Sequence, residues 1–112
     1  MNDTKVDVEQ HKYLNIRDLI KHNSCMYFHY DEKSHYILKE KDVYLFWTDK
    51  KQAHNFKQGF VLKFNIGAFL NTILPELSAE TKFIGINWSC DNKEVFNINK
   101  LSHVIKKDGK HI

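Results

Sequence analysis

The longest weakly charged, apolar stretch of the chain runs from Phe60 to Ser89, FVLKFNIGAFLNTILPELSAETKFIGINWS. Between Gly59 and Ser78 its only charges are Lys63 and Glu76. Phe60, Leu62, Phe64 and Ile66 alternate with Val61, Lys63 and Asn65, which predicts a strand with one dominant face. Phe69, Leu70, Ile73, Leu74 and Leu77 then recur at helical spacing. Asn65 is placed to cap that helix, and Pro75 comes late enough to end or kink it at its last turn. After a loop at LSAET, Ile84, Ile86 and Trp88 alternate again. Gly85 among them marks a close backbone approach or a bulge. Strand, helix, strand is the frame against which the remaining segments are sized to pack.

Upstream, Leu14, Ile16, Leu19 and Ile20 recur at helical spacing between Glu9 and His22, with Arg17, Asp18 and Lys21 opposite, and Asn23–Ser24 end the helix. The period then changes. CMYFHY (25–30), HYILK (35–39) and VYLFW (43–47) are short aromatic or β-branched runs separated by the polar turns DEKS and EKD, which implies an antiparallel meander. One register puts Met26, Phe28, Tyr36, Leu38, Leu45 and Trp47 on the core face and Tyr27, His29, His35 and Tyr44 on the other. The opposite register swaps the sets. Thr48 and Asp49 are N-cap residues for a short helix, with Gln52 at capping-box spacing from Asp49, Ala53 and Phe56 inward, and Gly59 as its stop. Beyond Trp88, DNKE (91–94) is a turn and VFNI (95–98) a strand. Asn99 caps a last helix with Leu101, Val104 and Ile105 inward.

These elements predict one α+β domain over residues 1–112: an antiparallel β-sheet packed with about four helices, in the order α-β-β-β-α-β-α-β-β-α, with 1–8 and 107–112 as loose ends. A chain of 112 residues is long enough to bury one core without metal or disulfide support. Eight Phe, five Tyr and two Trp separate it from disordered chains.

Charge narrows the choice of partner. The net charge is +3, but acidic residues are interspersed with the basic ones. Lys50, Lys51 and Lys57, and Lys100, Lys106, Lys107 and Lys110, are two basic groupings without the glycine–aromatic pattern of an RNA-binding sheet. A solvated face accounts for them better than a nucleic-acid stripe. No apolar run spans a bilayer and no leader-like apolar segment opens the chain, so the expected location is cytoplasmic. Cys25 and Cys90 belong to no paired motif and read as reduced, buried, small apolar side chains.

Candidate chemistry is sparse. The seven histidines, at 11, 22, 29, 35, 54, 103 and 111, form no HxH, HxxxH or HExxH, and none stands at ligand spacing from a cysteine, so no metal is expected. His29 and His35 flank a hairpin turn, but two ligands do not make a zinc site. Cys25 and His29 lie on one strand face about 13 Å apart, too far for a nucleophile–base pair. Nucleophile elbows and phosphate loops are absent. No catalytic residue and no cofactor is expected. What remains is surface aromatic content: Tyr27, His29, His35 and Tyr44, rimmed by Asp31, Glu32, Glu40 and Asp42, have the composition of a protein-docking patch. If a helix covers that face, the same residues are core.

The segments VYLFWTDKKQAHNF, FNIGAFLNTILPELSAETKFIGINWS and FNINKLSHVI carry a resemblance. A strand ending in Trp47, a polar Thr48-Asp49, an inward Ala53, the Phe69-Leu70 to Leu74-Pro75-Glu76-Leu77 helix and the Ile84-Gly85-Ile86-Asn87-Trp88 strand resemble a family of small bacterial proteins, domain-of-unknown-function family 2750. The similarity covers roughly residues 25–106. The N-terminal helix is longer here, the tail is basic and the stretch after Phe56 is shorter. That family brings no catalytic residues. Related small α+β proteins recur beside bacterial toxins as immunity proteins, so the resemblance implies an antidote that binds and blocks a toxin domain stoichiometrically. The alternatives are a nucleic-acid-binding module and, third, a small ligand-binding or enzymatic domain.

Overall fold

The alternation of apolar and polar positions becomes seven short strands and four helices in the computed structural model, which describes residues 3–109, with side chains from Val8 to Lys107. Helix α1 (Asp3–Asn23) starts six residues earlier than the apolar spacing implies, so Asp3 to Val8 continue the helix. Its buried face is Tyr13, Ile16 and Ile20, while Leu19 is exposed. Ser24 ends it in the left-handed region at φ 61°, with its N–H on the Ile20 carbonyl at 2.9 Å, the usual way to satisfy the last carbonyls.

Strand β1 (Cys25–Asp31) pairs antiparallel with β2 (Tyr36–Ile37) on one edge and with β5 (Val61–Asn65) on the other. β3 (Lys39–Glu40) pairs antiparallel with β4 (Val43–Phe46). Lys41 and Asp42, at φ 54° and 65°, form the two-residue turn whose twist suits a hairpin. The strand expected over 35–39 is thus split at Leu38. The Leu38 N–H donates to the His29 carbonyl at 2.9 Å and its carbonyl accepts from Leu45 at 3.1 Å, so the segment crosses from β1 to β4. Where it leaves, Tyr27 and Trp47 form a direct antiparallel bridge. The two sheets, β2-β1-β5 and β3-β4-β6-β7, are joined at that seam.

The expectation of a wholly antiparallel sheet needs one correction. β4 runs parallel to β6 (Phe83–Ile86), and β7 (Val95–Asn97) follows antiparallel to β6. The chain from β4 to β6 passes through α2 (Lys50–Phe56), β5 and α3, a crossover long enough for parallel pairing. Ile84, Gly85 and Ile86 are buried without alternation, as expected of a strand covered on both faces.

α3 runs through Ile66–Ala68, a π-helical segment Phe69–Ile73 and Leu74–Ser78. Asn65 caps it, its Oδ1 accepting the Ala68 N–H at 2.7 Å. Pro75 does not end the helix. It lacks an N–H and its ring would strike the carbonyl four residues back; the wider π turn just before it relieves both, with the Leu74 N–H reaching the Phe69 carbonyl. The last helix, α4 (Ile98–Gly109), starts earlier than expected. Its cap is Asn97, whose Oδ1 accepts from Lys100 N–H at 2.9 Å, not Asn99. Within the ends expected to be loose, Lys107 to Gly109 are helical; 1–2 and 110–112 lie outside the described residues.

The main core lies between the sheet and α1, α3 and α4, and includes Ile20, Phe46, Phe69, Leu74, Ile84, Phe96 and Leu101. A second cluster, Leu38, Leu45, Trp47, Ala53 and Trp88, fills the opposite face under α2. Both faces of the β4–β6 pair are therefore dry.

Candidate functional site

The aromatic patch expected on the open sheet face does not form. In β1 the register holds: Met26 and Phe28 enter the main core and Tyr27 and His29 face away. In β4 the phase is inverted. Tyr44 and Phe46 join the main core, while Leu45 and Trp47 face α2. Tyr44 is only 7% exposed and His29 only 3%; Tyr27 is half-buried, and His35 is exposed in the turn, its Nδ1 3.1 Å from the Tyr30 hydroxyl. The acidic residues do not converge either. Asp31 and Glu32 lie before the Tyr36–Glu40 segment, Glu40 and Asp42 at its far end. The Ser34 hydroxyl, with the Lys33 amide, holds the Asp31 carboxyl below its usual range.

Tyr44 is instead a tie between layers. Its hydroxyl donates to Glu80, and the Tyr36 hydroxyl donates to Glu76, so two tyrosines set edge to face hold the C-terminal end of α3 and its following turn to the sheet. The Glu80 hydrogen bond, with burial, raises the Tyr44 hydroxyl to about 12. Burial, then Glu76, raises that of Tyr36 further.

His29 is a packed core histidine. Its Nε2–H donates to the Ala53 carbonyl of α2 at 2.7 Å, and its ring meets Trp47 edge to face at 5.3 Å. Burial lowers its pKa below 6.5, helped by the nearby charges of His54 and Lys57 and opposed by the Ala53 carbonyl. A histidine depressed in the folded state contributes stability that is complete above the unfolded value near 6.5 and is lost as pH falls toward the folded one. Stability is therefore expected to drop between pH 7 and 5 in urea titrations, with a shallower drop in His29→Gln. An equal slope in both proteins would show that His29 titrates normally.

The structure makes a different concavity, a groove of about 790 Å3 between α2 and the loop after β6. α2 contributes Gln52, Asn55 and Phe56, β3 contributes Glu40, and residues 87–93 form the other wall. Hydrogen bonds fix that wall. Asn87, at φ 60°, donates its N–H to the Phe46 carbonyl at 2.8 Å. Its side-chain Oδ1 accepts the Thr48 N–H at 2.9 Å, and its Nδ2 donates to Thr48 Oγ1 at 3.1 Å. Trp88 lies over Gly85, its Nε1–H on the Glu94 carbonyl at 2.7 Å, while its own carbonyl accepts from Trp47 Nε1 at 3.0 Å. Ser89 and Asn92 close the tip of the loop on each other.

Of the eight partner-binding residues expected from sequence, only Glu40 lines this groove. His29, Asp31 and Glu32 line a smaller one of about 240 Å3 beside Gly59. Cys90, expected to be buried, is exposed on the larger groove, and Cys25 is half-buried; both are free thiols. The groove draws on segments around positions 40, 52–56 and 87–93, so no local motif announced it. Asn87-Trp88 after Gly85 was its nearest sequence signal.

The two lysine groupings also part company. Lys50 and Lys51 stand on α2, against one face of the sheet, whereas Lys100 and Lys106 stand on α4, against the other. Lys100 lies 3.8 Å from Glu9 and over the Tyr13 ring. Lys110 falls outside the described residues. Among the described residues no three His, Cys, Asp or Glu side chains converge, and no helix is long and apolar enough to cross a membrane.

No protein-family model and no curated protein matches the chain. The resemblance to domain-of-unknown-function family 2750 therefore rests on its motifs alone.

Proposed function

We propose that the protein acts by occupancy, as a cytoplasmic immunity protein that binds a toxin domain one to one. The observation that carries the docking site is the groove between α2 and residues 87–93, whose wall is fixed by the Thr48–Asn87 pair and by Trp88. Its chemistry suits a polypeptide. Gln52, Asn55 and Asn92 offer amide donors and acceptors for a partner's backbone, and Glu40 and Asp91 can receive one basic side chain. A pre-formed wall reduces the ordering cost of association. The motif resemblance supports the toxin as partner. The separation of the lysines onto opposite faces favours this reading over a nucleic-acid module.

The test is co-expression with the product of a neighbouring toxin-like reading frame, followed by calorimetry. A one-to-one complex of about nanomolar affinity, near −12 kcal/mol, is expected. Gln52→Lys with Asn55→Arg places two long cations in the groove at exposed positions. It should weaken binding at least about 100-fold, roughly 2.7 kcal/mol, with an unchanged melting temperature. Full affinity in that variant would remove the groove from the interface. Protection of cells at far below one molecule per toxin would overturn occupancy itself.

A further inference from the structure

Strand β5 ends its sheet, and no strand pairs beyond it among the described residues. The ladder phase shows what it offers there. The Tyr30 N–H bonds the Phe60 carbonyl and the Ile66 N–H bonds the Ser24 carbonyl. Phe60, Leu62, Phe64 and Ile66 therefore turn their backbone groups toward β1, and Val61 and Lys63 turn theirs outward. Edge strands are normally covered, twisted away or short. Of the other strands that end a sheet, β2 and β3 are only two residues each, and β7 has the Asn97 N–H on the Tyr13 hydroxyl at 2.7 Å. β5 is left open, and its helix-side row carries two of the most exposed apolar side chains, Phe60 at 61% and Leu62 at 49%.

We infer that β5 pairs antiparallel with the β5 of a second copy, with the two-fold axis at Leu62. The sequence is self-complementary in that register. Val61 meets the second copy's Lys63 as a hydrogen-bonded pair, twice by symmetry. Leu62 meets Leu62, and Phe60 meets Phe64, at the non-hydrogen-bonded positions where side chains approach most closely. The seam thereby extends the Phe28–Phe64 stack, whose rings are 4.4 Å apart, to the second copy's Phe60. The neighbouring registers are worse. A shift one way sets Lys63 directly against Lys63, a like-charge pair. A shift the other way asks Gly59 to continue the strand, but its φ of 146° breaks the extended run. A foreign strand would have to supply both the apolar row and a residue without positive charge opposite Lys63; a second copy supplies both. The pairing lies beyond β1, away from the groove over β4 and β6, and does not depend on how the groove functions.

Sedimentation equilibrium from low micromolar to near-millimolar protein should show a monomer–dimer equilibrium. Leu62→Lys, at an exposed position, should shift it to monomer without lowering the melting temperature. In a Cys25→Ser, Cys90→Ser background, Leu62→Cys should form an intermolecular disulfide under a glutathione redox buffer. The paired Cα atoms would sit about 4.5 Å apart, within disulfide reach. Lys63→Cys should cross-link far less. A monomer throughout with no cross-link, preferential cross-linking of Lys63→Cys, or a dimer indifferent to Leu62→Lys would each overturn the inference.

Discussion

Replacing Trp47 with alanine is expected to cost about 4 kcal/mol in urea unfolding, the scale for emptying a buried indole. That is a large part of the roughly 5–15 kcal/mol that holds a domain together. Trp47 is fully buried, at 0% exposure, and sits where the two sheets meet. Its backbone exchanges hydrogen bonds with Tyr27 at 2.8 Å, its ring packs on His29 and Phe56 at 5.3 and 5.2 Å, and its Nε1–H holds the Trp88 carbonyl. The bridge survives the substitution, but the floor under α2 does not. Amide exchange should accelerate first in Lys50–Phe56. Trp47→Phe keeps most of the packing and loses the indole donor, so a smaller cost of about 1–2 kcal/mol is expected. A loss below 1 kcal/mol for the alanine variant would mean that the face under α2 is not a second core.

Element order was legible because most segments carry a clean period. Phe69, Ile73, Leu74 and Leu77 repeat at helical spacing and all four are buried; Asn65 caps where its position suggested. Asp49 is the N-cap residue of α2, but without a side-chain hydrogen bond, so its capping box with Gln52 does not form. Periodicity failed where a strand is dry on both sides. In VYLFW, Tyr44 and Phe46 are as apolar as Leu45 and Trp47, so the two phases cannot be told apart. The inverted phase of β4 took Tyr44 out of the expected patch, and the ordinary phase of β1 put His29 beneath α2. The parallel pairing of β4 and β6 was hidden for a related reason: Ile84, Ile86 and Trp88 alternate around Gly85 as in a strand with one wet face, but Gly85 is buried as well, under Trp88. The groove was illegible for another reason. Its walls meet only after α2 has docked on Trp47, and Thr48 and Asn87, 39 positions apart, have no local pattern.

Gly85 was legible as a close approach, and its substitution tests that reading most directly. A Cβ at Gly85 would stand 2.4 Å from Trp88 Nε1, 2.7 Å from Trp88 Cε2 and 2.8 Å from Leu45 Cδ2. Carbon atoms in contact sit about 3.5–4.0 Å apart, so the ring or the strand must move. The ring is held at both ends: Nε1–H by the Glu94 carbonyl, and the Trp88 backbone by Trp47. Gly85 itself lies in a strand paired on both edges, between Leu45 and Val95. Gly85→Ala should therefore fall at the upper end of overpacking costs, about 3 kcal/mol, and lower the melting temperature by roughly 10–20 °C. Trp88→Ala removes the atoms in conflict along with the bond to Glu94, so it destabilises alone but should relieve part of the Gly85→Ala penalty in the double variant. Contacting residues couple by about 0.5–3 kcal/mol in such cycles. The groove wall should loosen with the ring, so Gly85→Ala should also speed amide exchange across residues 87–93. Additive effects in the cycle, or a wild-type melting temperature for Gly85→Ala, would mean that Trp88 does not rest on Gly85 in solution.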